Sequence, residues 1–428
     1  LRRARWQVPV VLAFGVAVWA FLSVAAIRHG FFDLSVYYGA VQYWAEGHDI
    51  YGYVRQHAEY GFTYPPFAAL TMLPMAFVGW QVAVLVSVVL SLLATGVVLY
   101  WMVDPIARRQ GWSRWFALAI AAGLAAAYEP MRETVNFGQV NMLLVVLVLA
   151  DLMLLVRPGR GLGGIGIGLA TAIKLTPGIF VLYLLVTRRF RAAALAAATA
   201  TGATLLAAVV APDESRVFWT DAMWDTDRIG ALSYISNQSL RGAVARLGLA
   251  SPWSTALFGV LVLAVLAVWV RRVRAARAAG DELAGYTFTA ILACLASPFT
   301  WVHHLVWIMP AFALLVGEAL APSSGRRRRK ALLAFAVAGY ALLCSRLVWH
   351  FDRQDNVFEE IGSDAYALFC VALLVALRVR GGSGGRQGEP QLGDLEPAGD
   401  GVRRAGAVGD EAVPQVEAPG PLVPVERP

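Results

Sequence analysis

FFDLSVYYGAVQYWAEGHDIYGYVRQHAEYGFTYPPF, residues 31–67, is a polar, tyrosine-rich stretch set between apolar segments. It carries the carboxylates Asp33, Glu46, Asp49 and Glu59 and closes on a Tyr-Pro-Pro turn. Leu34, Tyr37, Tyr38, Val41 and Trp44 follow the spacing of one helix face, and Gly47 stands where such a helix would stop. The stretch reads as an amphipathic helix on a membrane surface with Asp33 at its first position. There the carboxylate can cap the helix, with Phe32 and Tyr37 as a hydrophobic staple. It can also serve as a general base at the membrane–water boundary, and the two roles are compatible because a capping carboxylate has a fixed direction.

The rest of the chain sets this polar stretch in a membrane. Of 428 residues 58% are hydrophobic and 15% charged, which excludes an ordinary soluble domain and implies an all-α, polytopic membrane protein. A formal charge of +7 is no nucleic-acid signature here, because the basic residues fall in short clusters between apolar segments. Cys294, Cys344 and Cys370 lie in apolar segments without a CxxC pattern and read as packing residues. Arg2, Arg3 and Arg5 precede an apolar run from Val8 to Ile27, long enough to span and read as a retained first span rather than a cleaved signal.

Further apolar segments fall near 81–103, 115–128, 140–156, 192–211, 254–273, 284–300, 304–320, 331–348 and 364–379, so about ten to twelve membrane helices are expected. Two stretches depart from a simple span. Residues 66–78 are too short to cross and read as a half-helix. Residues 161–187 hold GLGGIGIG, Lys174 and a Thr-Pro-Gly break, the pattern of two short helices meeting inside the membrane. With the N-terminus in the cytoplasm, 26 of the 36 Lys and Arg residues fall on the cytoplasmic side and eight in the outer loops, near 28–65, 129–139, 212–253 and 349–363. All six histidines then lie at the outer face, and the chemistry is expected there. Residues 381–428, with 11 Gly, 7 Pro and no aromatic residue, read as a disordered cytoplasmic tail after a membrane domain of residues 1–380.

Five stretches in this order, FFDLSVYY with GHDIY and FTYPPFAALTMLP, then NFGQVN, GIGLATAIKLTPGIF, SNQSLRG and SPFTWVHHLVW, resemble glycosyltransferase family 87, within the GT-C fold of polyprenyl-phosphate-dependent membrane enzymes. The resemblance covers roughly residues 8–380. It implies α-mannosyl transfer, of α-1,2 type, from polyprenyl-phosphomannose to a lipid-linked or cell-envelope mannoside by one inverting displacement. It also implies Asp33 as the base that accepts the proton of the attacking hydroxyl. No cofactor is implied, since the lipid-phosphate sugar is a co-substrate. Asp33 is followed by Leu34, so the acidic pair of many GT-C enzymes is absent and a metal requirement stays open.

The leaving phosphate needs a cation or donor. His303 and His304 are the candidates, the sequence not choosing between them, and their alternative is a water-facing polar pair. Lys174 can reach the phosphate or can snorkel to the interface. Asn136, Gln139, Asn237 and Gln238 can bind sugar hydroxyls or cap turns. Tyr37 and Tyr64 can stack on sugars or belong to an interfacial belt, and Arg241 can contact a phosphate. An arabinofuranosyltransferase with a decaprenyl-phosphate donor is the alternative within the class. A lipid or solute transporter is the alternative outside it, weakened by the lack of an internal repeat.

Overall fold

The computed structural model describes residues 6–25, 29–55, 60–156, 161–225, 228–351 and 357–379. The chain divides into Leu1–Gly393 and Asp394–Pro428, and the expected tail at 381–428 lies outside the described residues. Among the described residues the protein is helical, with one antiparallel bridge between Val54 and Gly61 and no strand.

The helices in order are α1 (Gln7–Val24), α2 (Phe32–Ala45), α3 (Pro66–Met72), α4 (Trp80–Gln110), α5 (Arg114–Ala127) and α6 (Glu129–Phe137). They continue with α7 (Asn141–Ala150), α8 (Ile165–Ile173), α9 (Ile179–Val186), α10 (Phe190–Val210), α11 (Pro212–Val217) and α12 (Leu240–Arg246). The last are α13 (Trp253–Ala279), α14 (Glu282–Ala296), α15 (Pro310–Ala319), α16 (Arg326–Ser345), α17 (Val357–Ser363) and α18 (Ala365–Ala376).

Four of these, α1, α4, α10 and α13, are long and apolar enough to cross a membrane. The count rises to six if α6 with the 141–155 segment, and the 302–308 turn with α15, each form one bent span. Among the described residues that is fewer than the ten to twelve membrane helices expected. Several apolar runs are broken or short: α5, α14 and α18 have 14, 15 and 12 residues, and a helix rising 1.5 Å per residue needs about 20 to cross. The 129–139 region, expected as a loop, is instead the helix α6 and is largely buried.

The half-helix at 66–78 is present as α3 followed by a 3₁₀ turn at Leu73–Phe77. The break in 161–187 falls at Lys174, whose backbone is extended between α8 and a 3₁₀ turn at Thr176–Gly178. The glycines of this segment permit close helix contact. A Cβ at Gly164 would lie 2.2 Å from the Ala192 carbonyl oxygen, and one at Gly168 would lie 2.5 Å from that of Ala196, so α8 touches the α10 backbone directly. Asp151 accepts hydrogen bonds from the Gly164 and Ile167 amides at 2.7 and 2.8 Å and satisfies the start of α8.

Two apolar clusters result. The larger gathers α4, α7, α14, α15 and α18; the smaller packs α2, Tyr51, Phe62 and α3 against Phe218. Val140 and Ile173 pack against both. Their sequence neighbours Gln139, Asn141 and Lys174 are therefore held at the seam.

Candidate active site

The seam is built from the start of α2. Phe31 adopts a left-handed conformation (φ 55°) and donates its amide to the Asn136 carbonyl at 2.9 Å, which ties α2 to the end of α6. Gly138 ends α6 at φ 72°, and a Cβ there would stand 2.5 Å from the Leu34 Cβ. Glycine is required twice over, by backbone angle and by contact. The turn delivers Gln139 onto the first turn of α2. Asp33 does not cap its helix, a position taken by Phe31 without a side-chain bond. Its Oδ2 instead accepts from Gln139 Nε2 at 2.5 Å.

From Gln139 a directed chain of hydrogen bonds runs inward. Tyr64 Oη donates to Gln139 Oε1 at 3.0 Å and accepts from Tyr37 Oη at 3.0 Å and from Lys174 Nζ at 3.2 Å. Lys174 also donates to Asn141 Oδ1 at 3.3 Å, and its ammonium stands 3.2 Å from His304 Nε2. His304 Nδ1 accepts from the Trp301 amide at 3.2 Å, so in the neutral ring Nε2 carries the proton. Lys174 and His304 then both present N–H groups, and an anionic oxygen beside them could accept from both. A cavity opens there, lined by Asn141, Lys174, Thr176, Thr300, His304 and Trp307.

Asp33 sits at the opposite end of this chain. Desolvation raises its carboxyl from 3.8 to about 6, opposed by the Gln139 hydrogen bond and by the Lys174 and His29 charges, while Glu133 adds to the rise. A carboxylate poised near 6 is ionised at neutral pH and is a stronger base than an exposed aspartate.

Six of the expected site residues are thus brought into one network: Asp33, Tyr37, Tyr64, Gln139, Lys174 and His304. His303 is next to it and buried (4% exposed), its ring packed edge-on to His304 with centroids 4.6 Å apart. Its carbonyl accepts from Thr134 and Asn141, while neither ring nitrogen has a partner among the described residues. The other four residues lie outside the network. Asn136 donates to the Arg132 carbonyl. Asn237 donates to the Leu232 and Pro298 carbonyls and accepts from the Ser239 and Thr300 amides. Gln238 donates to the Ile235 and Ser363 carbonyls and accepts from the Ala367 amide. Their amides hold loops in place. Arg241 lies over the Phe258 ring.

Sequence reasoning missed Asn141, which stands in the same NFGQVN motif, and the buried acids Glu129 and Glu133. The spacing of Glu129, Arg132 and Glu133 by three and four marks one face of a helix, a signal hidden by taking the segment as a loop. Among the described residues no three His, Cys, Asp or Glu side chains converge as metal ligands would.

Residues 62–298, which contain the network from Tyr64 to Lys174, match the sequence pattern of glycosyltransferase family 87. The chain is also similar to the polyprenol-phosphate-mannose-dependent α-(1-2)-phosphatidylinositol mannoside mannosyltransferase of Mycolicibacterium smegmatis, 32% identical over 404 residues, 87% of this chain and 89% of that protein. The chain belongs to glycosyltransferase family 87. It is accordingly a membrane glycosyltransferase, with the all-α polytopic architecture expected of the GT-C fold. Another M. smegmatis member, named for a phosphatidylinositol pentamannoside acceptor, is 32% identical over 402 residues, 88% of this chain and 91% of that protein. An α-(1->3)-arabinofuranosyltransferase of Corynebacterium glutamicum is 29% identical over 185 residues, 40% of this chain and 42% of that protein. No solved structure matches the chain.

Proposed function

We propose that the protein transfers mannose from polyprenyl-phosphomannose to a phosphatidylinositol mannoside, forming an α-1,2 linkage. The observation that carries this reading is the network with Asp33 at one end and the Lys174–His304 pair at the other, in a chain alike over most of its length to mannosyltransferases of that name. The acceptor hydroxyl oxygen attacks the anomeric carbon, its proton passes to Asp33, and the bond from that carbon to the phosphate oxygen breaks. A single displacement inverts a β-linked donor to an α-linked product and needs no second nucleophilic carboxylate. Polyprenyl phosphate leaves with the added charge, which Lys174 Nζ and His304 Nε2–H stabilise. Asn141 and Tyr64 hold Lys174 in place for that task.

The site faces the outer side in this reading, with both termini in the cytoplasm. The ends of α4 (Arg108, Arg109) and α13 (Arg277) and the start of α16 (Arg326–Lys330) are basic, as cytoplasmic ends are. The site residues come from the segment before α4, the α6–α7 junction, the break after α8 and the 302–308 turn. The arabinofuranosyl alternative rests on the shorter similarity to the C. glutamicum enzyme.

Membranes carrying the protein, given radiolabelled polyprenyl-phosphomannose and a phosphatidylinositol mannoside, test the reading. A larger mannolipid whose new residue is released by an α-mannosidase is expected. Transfer from decaprenyl-phosphoarabinose with none from the mannose donor would contradict it.

A further inference from the structure

Glu133 projects from the middle of α6 and is 99% buried, yet its Oε1 accepts no hydrogen bond from any described residue. His29 Nε2 stands 3.6 Å away and is likewise without a hydrogen-bond partner. The two face each other just beyond hydrogen-bonding range. The imidazole is fixed there by stacking on Phe137, one helical turn from Glu133, with centroids 3.9 Å apart. A buried carboxylate with an unused oxygen is costly, and a group that both donates and accepts would satisfy both atoms. An alcohol does this: its proton goes to Glu133 and its lone pair takes the His29 N–H.

An aromatic surface is tied to the same helix. Tyr234 (52% exposed) packs edge-on to Trp301 and Trp349, and Tyr60 (43% exposed) stands with Trp301 around Gly230. Contacts tie this surface to α6. Trp349 donates to Glu129, one turn before Glu133, and Trp301 adjoins His304 through its amide. Partial burial raises the Tyr234 phenol above its ordinary value, and the Glu133 charge adds to the rise. Exposed rings tied to the helix that carries a buried carboxylate suit a sugar, whose C–H face stacks on rings while its hydroxyls bond an acid.

We infer that Glu133, His29, Tyr234 and Trp301 form the acceptor subsite, in which the first two hold one hydroxyl of the acceptor glycan and the rings carry its apolar face. The inference rests on the proposed function for the identity of the reaction. It adds that the acceptor hydroxyl is held on the Asp33 side of the site.

The test uses the full chain in membranes and in detergent, comparing wild type, Glu133→Gln and Tyr234→Ala. Glu133→Gln keeps the volume and replaces a double acceptor by an amide. Both variants are expected to raise KM for phosphatidylinositol mannoside by about tenfold or more, with KM for polyprenyl-phosphomannose within twofold of wild type and melting temperature unchanged. An unchanged acceptor KM, or a rise in both KM values together with a lower melting temperature, would overturn the subsite. If wild type transfers no mannose, the proposed function fails. Binding then decides the subsite: thermal protection by the mannolipid that is lost in Glu133→Gln supports it, and no protection of wild type rejects it.

Discussion

At the residue scale the account turns on the protonation of Asp33. A general base must be ionised, so kcat/KM is expected to rise with pH up to about 6 and level off above it, falling tenfold per unit on the acid side. Gln139 donates to the ionised carboxylate and so lowers the pKa. Gln139→Ala removes that bond, and the acid limb should move to higher pH; a limb that stays in place would separate Asp33 from the rate. The stability sign follows from the same shift. Because the folded protein holds its proton above the ordinary 3.8, ionised Asp33 weighs against folding once pH exceeds that value. An uncharged replacement therefore leaves the fold as stable or more so at neutral pH.

At the element scale the site depends on one turn, between α6 and α7. Gly138→Ala would place a left-handed alanine, worth roughly 1–2 kcal/mol of strain, 2.5 Å from Leu34 Cβ, so α2 or α6 must shift. Lower melting temperature together with reduced transfer is expected, and wild-type values of both would show that Asp33 is positioned some other way. This turn also shows what the sequence discloses. The α2 helix with its buried Leu34, Tyr37 and Val41, the stop at Gly47 and the Thr-Pro-Gly break beside Lys174 were legible because each is written in local spacing or in Gly and Pro, whereas Tyr38 and Trp44 of the expected face are only half-buried. The meeting of Gln139 with Asp33 was not, since it joins residues 106 positions apart. The capping role for Asp33 was a sound local expectation that lost to this distant partner. Asn237 and Gln238 looked like sugar ligands because amides bind either, and only the packed loop shows their bonds already taken by backbone.

At the scale of the whole molecule, buried polar contacts hold the apolar helices around the seam. Arg246, at the end of α12, binds Asp364 before α18 and donates to the Tyr234 and Asn237 carbonyls, with its side chain 1% exposed. Removing one partner of a buried pair costs about 3–5 kcal/mol. Arg246→Ala should therefore lower the melting temperature clearly in detergent, while an unchanged value would mean that the 228–246 region is held by its apolar contacts alone. Family membership was legible from motif order, whereas the number of membrane helices was not. Hydropathy alone counts short buried helices and bent pairs as spans, and tertiary packing rather than lipid covers several of them.

The most direct test of the central claim is mannosyl transfer by Asp33→Asn in membranes at saturating donor, alongside its melting temperature. The account predicts a loss of about 10²–10⁴-fold in rate with melting temperature equal to or above wild type. Activity within a few-fold of wild type would contradict it and remove Asp33 from the chemistry.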